Sequence, residues 1–167
     1  MYAGCHSDSV RSVGWSHDGS KLVSSSYDSS VCIFDTLVKA TSEQQTIKSG
    51  RFDSNDGVRC VCWSPDGSTI ISGAADYKLQ TWNSTSGHKL NQFSGHMHRV
   101  LCCDWSDDGT MIASGSEDHS VRIWDAYTGV EIVSLNGHAD TVRTLKWCPG
   151  CHNLASGSND GKVILWI

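Results

Sequence analysis

Apolar positions along this chain come in short, Val-rich runs of four to six residues. Each run is broken by an Asp-Gly-Ser, Asp-Gly-Thr or Pro-Asp-Gly turn signal. Around Val121 and Ile123, apolar and polar residues alternate, which is the period of a strand buried on one side. The pattern predicts strands rather than helices, and it repeats. The segments VRSVGWSHDGS, VRCVCWSPDGS, VLCCDWSDDGT and VRTLKWCPGCH begin at Val10, Val58, Val100 and Val142, spacings of 48, 42 and 42 residues. A second apolar run follows each: LVSSSYDSSVCIFD, IISGAADYKLQTWN, IASGSEDHSVRIWD and LASGSNDGKVILWI. Four short strands per roughly 42 residues is the spacing of a propeller blade.

The polar residues keep a tighter register than the repeat length. His96 precedes Ser114 by 18 residues, Asp118 by 22 and Trp124 by 28. His138 stands in the same relation to Ser156, Asp160 and Trp166, and His6 to Ser24, Asp28 and Phe34. The second copy places Ser54, Ser72, Asp76 and Trp82 at these offsets. The one length difference falls after Phe34, in DTLVKATSEQQTIKSG, as expected for an exposed loop. One domain, 1–167, is expected, with repeats at about 4–50, 51–94, 95–136 and 137–167.

With Gly95-His96 near the start of a repeat, Trp124-Asp125 near its end, and Gly137-His138 in another copy, the chain resembles the WD-repeat family. The resemblance covers essentially the whole chain. It implies an all-β, WD-repeat β-propeller architecture with four blades in this chain. It also implies a role for the recurring residues, a hydrogen-bonded tetrad inside each blade. The imidazole links the Asp carboxylate to the Ser hydroxyl, and the hydroxyl accepts from the indole N–H. The members are His6, Ser24 and Asp28; Ser72, Asp76 and Trp82; His96, Ser114, Asp118 and Trp124; and His138, Ser156, Asp160 and Trp166. A Ser/His/Asp set also resembles a nucleophilic triad, but catalysis needs one copy and this pattern recurs along the chain. No catalytic residue is therefore expected. Phe34 removes an indole donor and Ser54 removes a histidine, so blades 1 and 2 should be less well tied than blades 3 and 4.

Composition narrows the function. The chain has 167 residues, a net charge of −5 and 19% charged residues. It shows no basic patch for nucleic acid and no basic amphipathic stretch for a membrane surface. The N-terminus MYAGCHSDSV lacks the apolar segment of a signal peptide. A cytoplasmic or nuclear setting is expected, and with it eight reduced cysteines. Cys60, Cys62, Cys102 and Cys103, on the first strand of their repeats, are expected to pack as small apolar residues. Cys148-Pro149-Gly150-Cys151-His152 has the look of a redox or haem-attachment motif. It aligns without a gap to the Ser106–Thr110 turn, where neither a redox helix nor a zinc ligand set is expected. No cofactor, metal or small molecule is expected.

The resemblance also implies a docking face. The family's usual contact positions lie just before the first strand and just before the blade Asp. The first kind gives Ser7, Ser9, Asn55, Gly57, Met97, Arg99, Ala139 and Thr141; the second gives Tyr27, Ala75, Glu117 and Asn159. Tyr27, Met97, Arg99 and Glu117 are the candidate partner-binding residues, Glu117 by accepting from a partner's Lys or Arg. The expected function is a non-catalytic protein-interaction scaffold or adaptor within a multiprotein complex. The alternative is a substrate-recognition subunit of an enzyme complex such as a ubiquitin ligase. Tyr127 stands where one such subset of the family carries an Arg, which lowers the weight of that reading. Four copies, the last without a fourth strand, predict an incomplete or open propeller. It is read as part of a longer chain, an arc that associates with a second copy, or a small closed ring, the first being favoured.

Overall fold

Asp-Gly turns set the topology, because each one folds a run back on its predecessor. In blade 1 the Ser16 hydroxyl donates to the Asp18 carboxylate at 2.6 Å, and the Ser20 N–H donates to the same carboxylate at 3.0 Å. Ser64, Asp66 and Ser68 repeat this lock, as do Ser106, Asp108 and Thr110. In the computed structural model, which describes residues 5–36, 45–48 and 57–167, the runs form fifteen strands, and those residues contain no helix.

Blade 1 comprises β1 (Val10–Trp15), β2 (Lys21–Ser26), β3 (Ser30–Asp35) and β4 (Gln45–Lys48). Blade 2 comprises β5 (Val58–Trp63), β6 (Thr69–Ala74), β7 (Lys78–Asn83) and β8 (Lys89–Ser94). Blade 3 comprises β9 (Val100–Trp105), β10 (Met111–Ser116), β11 (Ser120–Asp125) and β12 (Glu131–Asn136). Blade 4 comprises β13 (Val142–Trp147), β14 (Leu154–Ser158) and β15 (Val163–Trp166). Every sheet is an antiparallel meander in chain order.

The first strand of every blade carries a bulge at its second residue. In blade 1 Val10 pairs with Ser26 and Ser12 with Ser25, leaving Arg11 as the extra residue. Arg59, Leu101 and Arg143 are skipped in the same way. A bulge re-aims its side chain, and here it turns three arginines toward the rim.

Blades stack in sequence, β1 on β5, β5 on β9 and β9 on β13; blades 1 and 4 share no comparable packing among the described residues. Val23, Val31 and Ile33 of blade 1 bury against Val58, Val61, Trp63, Ile70 and Trp82 of blade 2. The equivalent clusters recur between blades 2 and 3 and between blades 3 and 4. Glycines make the close approach feasible. A Cβ on Gly73 would sit 2.7 Å from Val100 Cγ1, and one on Gly115 would sit 2.6 Å from Val142 Cγ1. The first valines of blades 3 and 4 thus each fill a slot on the blade before. Burying such a side chain contributes about 1.5–3 kcal/mol. Among the described residues the arc is open, since no sheet closes the ring.

The cysteines depart from expectation. Cys5 is joined to Cys32, and Cys148 to Cys151. The bridge holds Cys5 against Cys32 of β3. Cys148 and Cys151 span a turn whose backbone closes Cys151 N–H onto Cys148 O at 3.3 Å. That turn has Gly150 where the other three blades have the locking Asp, so the sulfur bridge stands in for the carboxylate. Cys60, Cys62, Cys102 and Cys103 are free. Cys60 is buried and the others pack against the blade 2–3 and 3–4 clusters.

Candidate functional site

The recurring polar residues meet inside the blades. In blade 3 the Trp124 indole N–H donates to Ser114 Oγ at 2.8 Å, and Ser114 Oγ lies 2.7 Å from His96 Nε2. His96 Nδ1 lies 2.8 Å from the Asp118 carboxylate. One protonation pattern satisfies every atom: a neutral imidazole donates from Nδ1 to the carboxylate and accepts at Nε2 from the serine hydroxyl. Blade 4 repeats the chain with Trp166, Ser156, His138 and Asp160. Blade 1 keeps the His6 links to Ser24 at 2.7 Å and Asp28 at 3.1 Å, with buried Phe34 in place of the indole. Blade 2 keeps the Trp82 donation to Ser72 at 2.9 Å. Ser54 and Asn55 lie outside the described residues.

Electrostatics follow the bonding. Burial works to raise Asp118, but hydrogen bonds from His96, Ser120 and the Met97 N–H outweigh it and hold the carboxyl well below its usual range. Asp28 is lowered in the same way, burial being outweighed by Ser30 and the Ser7 N–H. Asp160 is lowered to about 2, chiefly by the Ala139 N–H. Asp76 is the exception: burial raises it, and the Lys78 N–H offsets only part.

Further struts recur that the sequence reading missed. Ser26 Oγ donates to Asp8 O at 3.0 Å, Ser116 to His98 O at 3.1 Å and Ser158 to Asp140 O at 2.9 Å. Each serine also accepts the N–H of its blade Asp. The signal was present, as a Ser two residues before three of the four Asp residues. A second tryptophan series, Trp63, Trp105 and Trp147, is buried between blades. Trp63 donates across the junction to Gly14 O at 3.2 Å.

Above the tetrads lies the rim. The Ser7, Met97 and Ala139 N–H groups each donate to the blade Asp, at 2.8, 2.9 and 2.9 Å. The loops that carry the candidate contact residues are therefore fastened to the tetrads. Met97 is 78% exposed. Tyr27 is half-buried, with the Arg11 and Arg59 guanidinium carbons 4.7 and 4.6 Å from its ring centre. Arg59 also donates to the Tyr27 hydroxyl at 2.9 Å. Glu117 faces basic side chains of its own chain, the His98 imidazole at 2.7 Å and the Arg99 guanidinium at 3.8 Å. Tyr77 stacks on His98, ring centres 5.4 Å apart. Arg143 Nε donates to Asn159 at 3.0 Å. The bulge arginines Arg11, Arg59 and Arg143 were not singled out from sequence, because nothing in the run of residues marks a bulge.

Among the described residues, one group of possible metal ligands comes together, and it is already engaged. Cys5, His6 and Cys32 converge within metal-ligand reach. The two sulfurs bond each other, and the His6 nitrogens serve Ser24 and Asp28. Cys148 and Cys151 lie on a hairpin turn, not at a helix start. No helix among the described residues is long and apolar enough to cross a membrane.

The family model described as WD domain, G-beta repeat matches four times, at residues 3–35, 44–83, 87–125 and 129–166. No curated protein matches the chain at a significant level. WD repeats generally mediate protein–protein interaction, and proteins built from them are typically non-catalytic scaffolds. With four copies matched over most of its length, the chain belongs to the WD-repeat family.

Proposed function

We propose that this protein is a non-catalytic scaffold or adaptor of a multiprotein complex, and that its contact face is the rim carrying Tyr27, Met97, Arg99 and Glu117. One observation carries the reading. The His, Ser and Asp residues that would otherwise do chemistry are tied into blade struts, while an apolar Met97 stands exposed on a loop held by its own N–H. An exposed apolar side chain on a fixed backbone loses little freedom on docking. The Tyr27–Arg59 and Glu117–Arg99 pairs supply aromatic and arginine groups of the kind that anchor interfaces. A cytoplasmic or nuclear setting belongs to the same proposal. The ligase-receptor reading gains no support from Tyr127, which is 92% exposed where that subset needs an arginine.

Quantitative affinity purification with the chain and its Met97→Glu and Arg99→Ala variants tests this. Partners that dock on the rim are expected to fall at least tenfold in recovery with both variants, at unchanged melting temperature. Equal recovery with all three proteins would remove the rim from the proposal.

A further inference from the structure

We propose that Cys62 and Cys103 form an oxidative modification site, closing under peroxide to a reversible disulfide that staples blade 2 to blade 3. The inference stands apart from the rim reading. It rests on what each internal junction places between its two first strands.

The blade 2–3 junction sets Cys62, the fifth residue of β5, against Cys103, the fourth of β9, with the sulfurs 4.0 Å apart. The equivalent positions are Gly14 and Val61 at the blade 1–2 junction, and Asp104 and Leu145 at the blade 3–4 junction. Those two junctions are tied at the fifth residue by hydrogen bonds. The Trp63 indole donates to Gly14 O at 3.2 Å, and Lys146 and the Trp147 N–H donate to Asp104 at 2.6 and 2.9 Å. At the blade 2–3 junction the Trp105 indole N–H, which would repeat the Trp63 bond, meets no acceptor among the described residues. A pair of free thiols stands where its neighbours have their tie.

Two further cysteines lie close by, and packing separates them from the pair. Cys60 also hydrogen-bonds Cys103, but it is only 6% exposed. Its sulfur lies over Gly73, 2.6 Å from where a Cβ there would sit. Cys102 packs against the blade 3–4 cluster instead. Cys62 and Cys103 are both half-buried, so a small oxidant reaches them. Their sulfurs stand about 2 Å beyond bonding distance, a gap within the sweep of a rotating Cβ–Sγ bond.

The thiolate is the form that attacks peroxide. Hydrogen bonds with Cys60 and Cys62, together with burial, push the Cys103 thiol well up, so the first step falls on Cys62. Peroxide converts the Cys62 thiol to a sulfenic acid and leaves as water. The Cys103 sulfur then displaces the hydroxyl as a second water, and the S–S bond forms. Two thiols give up two electrons and two protons, and one peroxide becomes two waters. A dithiol reverses the step by exchange and is itself oxidised to a disulfide.

Hydrogen peroxide on the purified chain, followed by alkylation and peptide mass mapping without reductant, tests the site. The Cys62 and Cys103 peptides are expected joined, with the four free thiols falling to two and the chain still running at 18.2 kDa on a non-reducing gel. A dithiol should release the joined peptides. Cys62→Ser and Cys103→Ser should each abolish the link, and Cys60→Ser and Cys102→Ser should keep it, with circular dichroism confirming that each variant folds. Peroxide should raise the melting temperature of the wild type and not that of Cys62→Ser. Recovery of both cysteines alkylated, Cys103 joined to Cys60, or a sulfinic acid in place of the link would overturn the proposal. So would a link between two chains, or one that leaves the melting temperature where it was.

Discussion

At the scale of the residue, the tetrad turns four polar side chains into one closed account of donors and acceptors. Ser114 is its middle: it accepts from Trp124 and meets His96, and is itself fully buried. Replacing Ser114 by Ala strands an indole N–H and an imidazole nitrogen together, at about 1–3 kcal/mol for each buried group left unmade. Ser24→Ala in blade 1 strands only the imidazole, since Phe34 carries no donor. Urea denaturation is expected to show the larger loss for Ser114→Ala by about a factor of two. Equal losses would mean that the indole adds nothing.

The tetrad carboxylates also give stability a pH dependence. Asp28, Asp118 and Asp160 are held below the ordinary carboxylate value of about 4. A depressed carboxyl contributes stability above its unfolded-state value, and that contribution is lost as pH falls through the folded-state value. The urea midpoint should therefore drop as pH falls from about 4 toward 2. Asp118→Asn should cost more at neutral pH than at pH 3, and a gap that stays constant would count against the assignment. Asp76, raised by burial, acts in the opposite direction and softens the loss.

At the scale of the element, blade stacking depends on where a side chain is missing. Gly115→Ala places a methyl group 2.6 Å from both Cys102 Sγ and Val142 Cγ1, inside a junction. Overpacking of that kind costs about 1–3 kcal/mol. Gly157→Ala meets only Thr144 Cγ2 at 3.0 Å and should cost less. Thermal unfolding of the two variants compares a filled junction with an open one. The strands and their order were legible in the sequence, because alternation and Asp-Gly turns are local signals. The tetrads were legible because they recur at fixed offsets. The bulges were not: Arg11, Arg59 and Arg143 read like any strand residue until Val10 and Ser12 are seen to pair with adjacent residues of β2. The Cys148–Cys151 bridge was hidden for a related reason. The turn was read correctly, but its loss of the Asp lock was not connected to the two sulfurs that span it.

At the scale of the molecule, a repeat array draws stability from each unit and from each junction between neighbours. Three junctions are made among the described blades, each burying its own apolar cluster. Sequence counting foresaw an open or incomplete propeller. It did not show which residues would be bared, since Val10 and Val58 sit in nearly identical segments and differ only in having a neighbour.

The rim loops are bolted to the tetrads through single carboxylates, and that has a mechanical reading. A pull on Met97 does not end in a loose loop. It passes from the Met97 N–H to Asp118, through His96 and Ser114, to the buried Trp124 indole near the end of β11. The load path runs the width of a blade. A tug from outside is thus shared by the sheet, and the hinge point of the loop lies in the core rather than at the surface.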